Sequence, residues 1–472
     1  MSDARRGRPG ALGDPAILAL TILGFALACV RLGAKSMWLD ETVSAQHAML
    51  SLHALWGVVT RTDPDMGLYY VLLHFWVAVF GPGEIAIRSM SVVLAGLAVP
   101  VMALLGERLL DRRVGLLAAL LLAVSPLFVR YEQTARSYGL LVLLVLLSMY
   151  FFLGALERPS RANLIAYVIA SALAVYAHYF TALVLLVQLL TLLALRARGA
   201  PARPWVLAAV ALLVLCAPEV VFAARAGSGG ISWIPVPTLD TLVHFPSSLA
   251  GDGVLAALLA ALGVYALLCA RGEAERWRVW MLAMWLVLPV ALDVLVSELG
   301  RPLFETYYLI IVLPPALLLG AWGALRLRPP ALAGAGAMAL VAFSVIGLAQ
   351  WYSLPSLEEF RGATRRILAG QRPGDAIAGD PAKAVSFGVA YYEHLAGAAG
   401  PTRVRLTPAG GLSSSPPRAW IVIRDSDVTP AERGLVGMGM ERQYRSLGAP
   451  EHLRGLTLML YARRLPRDRA RG

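Results

Sequence analysis

Lysine is nearly absent from this chain. Of 42 basic residues among 472, only Lys35 and Lys383 are lysines, and charged residues of both signs together make up 15%. With 58% hydrophobic residues, so low a charge content excludes an ordinary soluble domain and places the chain in the integral membrane class. The formal net charge of +12 is carried by short arginine clusters between apolar runs. That pattern fits membrane orientation better than nucleic-acid binding, so no nucleic-acid partner is expected. Cysteine is scarce as well. Cys29, Cys216 and Cys269 fall inside apolar runs without metal-ligand spacing, which argues against disulfides and zinc sites. Arg5, Arg6 and Arg8 precede the first apolar run, Ala11 to Val30, and no convincing small-residue cleavage site follows it. The run reads as a retained first span.

A spanning helix needs roughly 20 mostly apolar residues. Runs of that kind follow at Ile85 to Leu105, Val114 to Val129, Tyr138 to Leu156, Leu164 to Tyr176, Thr181 to Leu195 and Trp205 to Ala224. Others are Val254 to Ala270, Val279 to Val296, Tyr307 to Leu325 and Ala331 to Leu348. Ala45 to Val59, with His47, His53 and Trp56, reads as an interfacial amphipathic helix. Leu68 to Phe80 is apolar but short, and Gly81-Pro82-Gly83 stops it. Charge decides its status. If it does not cross, the arginine clusters at 108–113, 158–161, 196–203, 271–278 and 326–328 all share one side, the cytoplasm. Leu68 to Phe80 is then a re-entrant or surface-lying helix. The expected fold class is mainly α, a polytopic membrane protein of eleven transmembrane helices with the N-terminus inside.

This topology collects the polar loops on the outer face: Lys35 to Glu84, Tyr131 to Ser137, His178-Tyr179, Arg225 to Asp252 and Ser297 to Thr306. The 225–252 loop, with Gly227-Ser228-Gly229-Gly230 and Trp233, suits either a lid over a pocket or a simple connector. After Trp351 the composition becomes that of a soluble domain. Helices are expected at Leu357 to Leu368 and Ala382 to Leu395, strands at Asp375 to Ala378, Trp420 to Arg424 and Leu456 to Ala462, and a loop from Thr407 to Arg418. The implied organisation is a membrane domain over 1–350, with its first outer loop at 34–84, and a small extracytoplasmic α/β domain over 351–472.

Met37-Trp38-Leu39-Asp40-Glu41 puts two carboxylates where the first span should emerge into water. At the rim of an apolar cavity Asp40 suits a general base that takes a proton from an acceptor hydroxyl. Glu41 suits binding of an acceptor or a metal, and the pair together suits a helix cap. Arg136, in Tyr131-Glu132-Gln133-Thr134-Ala135-Arg136-Ser137-Tyr138, breaks the positive-inside trend. Its guanidinium can bind a phosphate through two hydrogen bonds or reach lipid headgroups, and outer Arg301 has the same two readings. Asp63 and Asp65 head the short apolar run and can support a site. His74 reads as helix packing, and His178-Tyr179 as the lining of a polar cavity. With no second histidine at metal-ligand spacing, no metal site is assigned, and a divalent ion at Asp40 or Glu41 stays open.

The order Trp38-Leu39-Asp40-Glu41, Leu68-Tyr69-Tyr70, Phe80-Gly81-Pro82-Gly83-Glu84-Ile85-Ala86-Ile87-Arg88-Ser89, Arg130 to Tyr138 and Tyr176-Ala177-His178-Tyr179 resembles glycosyltransferase family 39. These C-type membrane enzymes are related to protein O-mannosyltransferases and lipid A aminoarabinose transferases. The resemblance implies an inverting transferase that moves a sugar, mannose or another hexose or pentose, from a polyprenyl-phosphate donor to a glycan, lipid or protein acceptor at the outer face of the plasma membrane. Asp40 matches the catalytic Asp of the first outer loop, with Glu41 beside it. Arg136 or Arg301 would hold the donor phosphate. Asp65, Tyr69, Tyr131, Glu132, His178, Tyr179 and Tyr307 would line the substrate cavity. Two positions depart from the pattern. Asp65-Met66-Gly67 stands where paired prolines are usual, and Thr306 precedes Tyr307 where an arginine is usual, which shifts phosphate binding toward Arg301. A transporter or flippase of lipid-linked glycans would also need many spans and a polar cavity, but should carry polar residues through the midplane of its helices. A scaffold that binds a partner through its outer domain is the third reading.

Overall fold

The structure is a computed structural model that describes residues 14–158, 160–196, 203–227, 234–407 and 409–464. Expectations placed on Arg5, Arg6 and Arg8, on Ser228, Gly229 and Gly230, and on Trp233 lie outside the described residues. The chain folds into two compact units. The first holds the chain through Val30, Ser51–Leu73 and Arg88–Ser353, and the second holds Arg31–Leu50, His74–Ile87 and the chain from Leu354 onward.

The expected helical membrane architecture is present. Among the described residues, six helices are long and apolar enough to cross a membrane: Glu84–Leu109, Tyr138–Glu157, Arg203–Ala226, Glu273–Glu298, Tyr308–Arg326 and Pro330–Ser353. Two bent pairs add up to two more spans, against the eleven expected. Pro15–Cys29, Gly67–Phe80, Arg161–Ala177 and Thr181–Leu195 are shorter apolar helices. The expected single run from Val114 to Val129 is one of the bent pairs: helix Arg112–Ala123 meets helix Pro126–Glu132 at 59°. Pro126 has no N–H to continue the ladder and keeps Ser125 out of the helical region, and Ser125 then caps the next helix by accepting the Phe128 N–H at 3.4 Å.

Other local departures have similar causes. The expected helix from Ala45 to Val59 is broken into Leu39–Met49 and Leu52–Arg61, because Ser51 turns extended and its Oγ accepts the Ala54 N–H at 3.3 Å. Much of the expected 225–252 loop is helical. Helix Arg203–Ala226 runs into its start, and Leu239–Ala250, capped by Thr238, occupies its end. Gly251 follows with φ 81°, a left-handed value that glycine adopts without strain, and the chain bends 90° into helix Gly253–Cys269.

Packing in the first unit depends on small residues at helix crossings. A Cβ on Gly115 would lie 2.3 Å from the Ala103 carbonyl oxygen, and one on Gly323 would lie 2.0 Å from that of Leu262. Glycine therefore lets the backbones touch, which is how apolar helices associate where no water is expelled. Inside the bundle the Oγ atoms of Ser148 and Ser171 are 2.8 Å apart, and the Gln188 amide donates to Ser148 at 3.0 Å. The arginine-bearing turns contact one another at one set of helix ends. Arg112 pairs with Asp14, Arg108 with Glu157 at 3.5 Å and Arg326 with Glu275 at 2.5 Å, and Arg278 donates to the Leu109 carbonyl at 3.1 Å.

The second unit is built on a mixed sheet. Its strands are β1 (Asp375–Asp380), β2 (Thr402–Arg403), β3 (Arg418–Arg424), β4 (Tyr444–Ser446), β5 (Glu451–Leu453) and β6 (Leu456–Arg463). Their order is β2-β1-β3-β6-β4, with β5 also beside β6; β1 runs parallel to β2 and β3, and β6 antiparallel to β3. The register sets Ile377 beside Trp420 and Ile421 beside Met459. Arg418, expected to close a loop, opens β3. Helix Pro430–Glu441 was not expected, although Thr429-Pro430-Ala431-Glu432 is a capping box: the Thr429 Oγ1 accepts the Glu432 N–H, and the Glu432 carboxylate accepts the Thr429 N–H at 2.8 Å. Its Val436 and Met440 pack with Ile421, Ile423 and Tyr461 of the sheet.

Segments from the first loop are knitted into this unit. The Tyr392 hydroxyl accepts the Met37 N–H at 2.8 Å, the Gln46 amide donates to the Phe387 carbonyl at 2.8 Å, and Tyr391 donates to the Pro82 carbonyl at 2.9 Å. Arg361 pairs with Glu84 and donates to the carbonyls of Gly33 at 3.0 Å and Lys35 at 3.2 Å.

Candidate active site

In the first unit, four segments that join helices bring their polar residues together. Between helices Leu52–Arg61 and Gly67–Phe80 the chain turns sharply at Met66, whose φ of 70° is left-handed and strained for a side chain of this size. Asp63 and Asp65 flank this turn. Tyr70 donates its hydroxyl to Asp63 Oδ2 at 2.8 Å. Asp65 Oδ1 accepts the Tyr179 N–H at 3.1 Å, and its Oδ2 lies 3.6 Å from His178 Nε2.

His178 ends helix Arg161–Ala177 in an extended conformation and is 1% exposed. Its Nδ1 accepts the Phe180 N–H at 3.3 Å, which assigns the proton of the neutral ring to Nε2, the nitrogen facing Asp65. Burial lowers the pKa of His178; the charge of Asp65 opposes this and that of Arg136 adds to it, and the net shift is downward. The imidazole is therefore neutral at neutral pH. The Tyr179 hydroxyl is raised, first by burial and then by the charges of Glu219 and Asp65. Glu219, 2% exposed, stands on helix Arg203–Ala226 just after Pro218. It was not among the expected site residues, though a carboxylate inside an otherwise apolar run is a signal in its own right.

Aromatic rings line the neighbouring wall. Tyr131 lies 4.9 Å from Tyr138 and 5.8 Å from Tyr307 between ring centres, and Tyr308 lies 4.9 Å from Tyr307 and 5.0 Å from His178. The Arg136 guanidinium sits 5.9 Å from the centre of the Tyr138 ring. The Arg136 carbonyl is 3.5 Å from Ser91 Oγ, which is in turn 2.8 Å from the Tyr69 hydroxyl. The structure thus groups Asp65, His178 and Tyr179 directly, Tyr131 and Tyr307 through stacking, and Tyr69 with Arg136 through Ser91. Tyr138 and Tyr308 complete the aromatic wall. A guanidinium such as that of Arg136, among carboxylates and tyrosine rings, can bind an anionic group, and the rings can stack a sugar face.

Two expected residues have other surroundings. Glu132 is fully buried, and its carboxylate oxygens make no hydrogen bond among the described residues. The adjacent Gln133 donates to the carbonyls of Ala28 at 2.9 Å and Val30 at 2.7 Å and accepts from Trp351 at 2.9 Å. Arg301 is exposed, and its N–H closes the end of helix Glu273–Glu298 on the Val296 carbonyl at 3.3 Å.

Asp40 and Glu41 belong to the second unit, in the first turn of helix Leu39–Met49. Glu41 is buried, and its Oε2 accepts the Trp38 N–H at 3.4 Å, the backward half of a capping box. Asp40 is half-buried beside it. Successive helix residues are rotated by about 100° from each other, so the two carboxylates point in different directions. Glu358 Oε2 accepts the Leu39 N–H at 2.7 Å, and Oε1 accepts from Arg424 at 2.5 Å. Burial raises the pKa of Glu358, Arg424 lowers it, and the Asp40 charge raises it further, for a net rise. Among the described residues no three His, Cys, Asp or Glu side chains are grouped to hold a metal ion.

A family model described as dolichyl-phosphate-mannose-protein mannosyltransferase matches residues 64–222. No curated protein matches the sequence. Among solved structures, ArnT from Cupriavidus metallidurans bound to undecaprenyl phosphate is 13% identical, with a TM-score of 0.60 over 94% of this chain and 97% of that one. Its apo form gives a TM-score of 0.63 at the same identity and coverage. The archaeal oligosaccharyltransferase AglB from Archaeoglobus fulgidus, in complex with an inhibitory peptide and a dolichol-phosphate, is 12% identical, with a TM-score of 0.55 over 95% of this chain and 74% of that one. The chain therefore has the fold of these membrane proteins, and the resemblance read from its motifs is borne out.

Proposed function

We propose that this protein is a membrane glycosyltransferase that takes a sugar from a polyprenyl-phosphate carrier and transfers it, with inversion, to an extracytoplasmic acceptor. The carrying observation is the convergence of Asp65, His178, Tyr179 and Arg136 from separate interhelical segments, in a unit whose arginine-bearing turns gather at other helix ends. Burying such groups in a membrane protein is costly and is seldom kept without a function. The match of residues 64–222 to a mannosyltransferase family model supports the same reading. Hexoses, mannose among them, and pentoses all fit the donor class. The arginine-bearing ends face the cytoplasm of a plasma-membrane protein, and the chain after 351 lies outside.

In this reading Asp40 is the general base. Glu41 is engaged as a cap, which leaves the proton transfer to its neighbour. The bond between the anomeric carbon and the phosphate oxygen breaks as the acceptor oxygen attacks from the opposite face, and the hydroxyl proton passes to Asp40. The electron pair leaves with the polyprenyl phosphate, whose charge Arg136 or Arg301 stabilises. Tyrosines 69, 131, 179 and 307, with Asp65 and His178, line the substrate cavity.

The test is release of free polyprenyl phosphate from a panel of labelled polyprenyl-phosphate sugars by purified protein in liposomes, with cell-envelope extract as acceptor. Asp40→Asn should slow release by roughly 10²- to 10⁴-fold while leaving the melting temperature unchanged. If folded wild type released nothing from any donor while labelled lipid changed leaflets, the protein would be a flippase of lipid-linked glycans.

A further inference from the structure

A cavity of about 400 Å³ opens at the arginine-bearing ends of the first unit. It lies between the start of helix Arg112–Ala123, the end of helix Leu313–Arg326 and the start of helix Pro330–Ser353, and Arg113, Arg326, Arg328 and Asp111 supply its charges. Two of these are already committed. Asp111 Oδ1 accepts the N–H groups of Arg113 at 2.8 Å and Val114 at 3.1 Å, as a helix cap does. Arg326 pairs with Glu275 at 2.5 Å and lies 4.6 Å over the ring of Trp322. Arg113 and Arg328 are exposed, and neither makes a side-chain hydrogen bond or ion pair among the described residues. Apart from these groups the wall is apolar, with buried Trp322 and half-buried Leu327 among its residues.

We propose that this cavity binds the phosphodiester headgroup of an anionic phospholipid, a site separate from the transfer reaction. Two guanidiniums with no hydrogen bond or ion pair among the described residues, both lining one concavity, offer planar donor forks that match phosphate oxygens. The apolar wall and the position at helix ends favour a lipid over a soluble anion: a phosphate at the membrane surface carries its own glycerol and acyl chains to fill the apolar part. Free phosphate shares the recognition chemistry and lacks that complement.

The experiment is native mass spectrometry and thermal melting of full-length protein in phosphatidylcholine nanodiscs, with and without added phosphatidylglycerol. Wild type should retain phosphatidylglycerol and melt at higher temperature as its fraction rises. The double variant Arg113→Gln with Arg328→Gln should lose affinity by about fivefold per arginine, roughly twenty-five-fold in all. Arg161→Gln, an exposed arginine outside the cavity, should behave as wild type. Melting in pure phosphatidylcholine checks that the double variant is folded. Equal retention of phosphatidylglycerol by the folded double variant and wild type would overturn the proposal. So would displacement of the lipid by inorganic phosphate alone, which would make the site one for a free anion.

Discussion

His178 offers a test in which the structure fixes the sign. Its ring is buried, so the imidazolium is disfavoured; Arg136 disfavours it further, and Asp65 at 3.6 Å opposes both. The net is a folded pKa below the ordinary value of 6.5. In the unfolded chain the same ring titrates at about 6.5. Between the two values the unfolded chain holds a proton that the folded chain does not. Stability from this residue is therefore fully present above the unfolded pKa and is lost as pH falls from there toward the folded pKa, at up to ~1.4 kcal/mol per pH unit. His178→Gln removes the titration, so that slope should disappear from the variant. Asp65→Asn removes the opposing charge, depresses the folded pKa further and extends the loss to lower pH. An asparagine oxygen can still accept the Tyr179 N–H, so the cost of Asp65→Asn at neutral pH should be about 1 kcal/mol, the difference between a charged and a neutral hydrogen bond. The assay is the melting temperature of purified full-length protein in one detergent from about pH 8 to about pH 5, where histidine titrates. Wild type and His178→Gln should separate as pH falls below 6.5. Parallel curves through that window would refute the buried, neutral histidine.

Three further perturbations have directions set by local geometry. Glu41→Ala removes the acceptor of the Trp38 N–H and should cost about 1 kcal/mol, with Glu41→Gln recovering most of it in thermal melts; equal stability of all three proteins would sink the capping role. Gly115→Ala places a methyl group 2.3 Å from the Ala103 carbonyl oxygen and should lower stability by about 1–3 kcal/mol, whereas Gly57→Ala, with open space around it, should be neutral or stabilising. Equal melting of the two alanine variants would show that the helix crossing is not close-packed. Tyr392→Phe takes the acceptor from the Met37 N–H and should cost about 1–3 kcal/mol, read as faster hydrogen exchange at Met37 with wild-type exchange along β3. Unchanged protection at Met37 would mean that the amide has another partner.

What the sequence determined by itself is what depends on neighbours along the chain. Apolar runs fixed the helices Tyr138–Glu157, Arg203–Ala226 and Pro330–Ser353, because a span must satisfy its own backbone in lipid and so must be continuous. The core strands β1, β3 and β6 were legible for the same local reason, in their short runs of β-branched and apolar residues. Asp40, Arg136 and His178 stood out as charged or polar residues at the ends of apolar runs. The bend at Pro126 and the helix after Thr429 also had local signals, the first obscured by the apolar residues on either side of it. What only the tertiary structure decided is which of these ends meet. Asp65 and His178 are more than a hundred residues apart, and no spacing rule connects them. Their pairing follows from which helices pack, and that depends on close approaches such as Gly115 against Ala103. The separation of Glu41 from Asp40 into cap and base candidate likewise needed the backbone. In sequence the two are equivalent neighbours, and only the first turn of a helix turns one carboxylate back onto the Trp38 N–H.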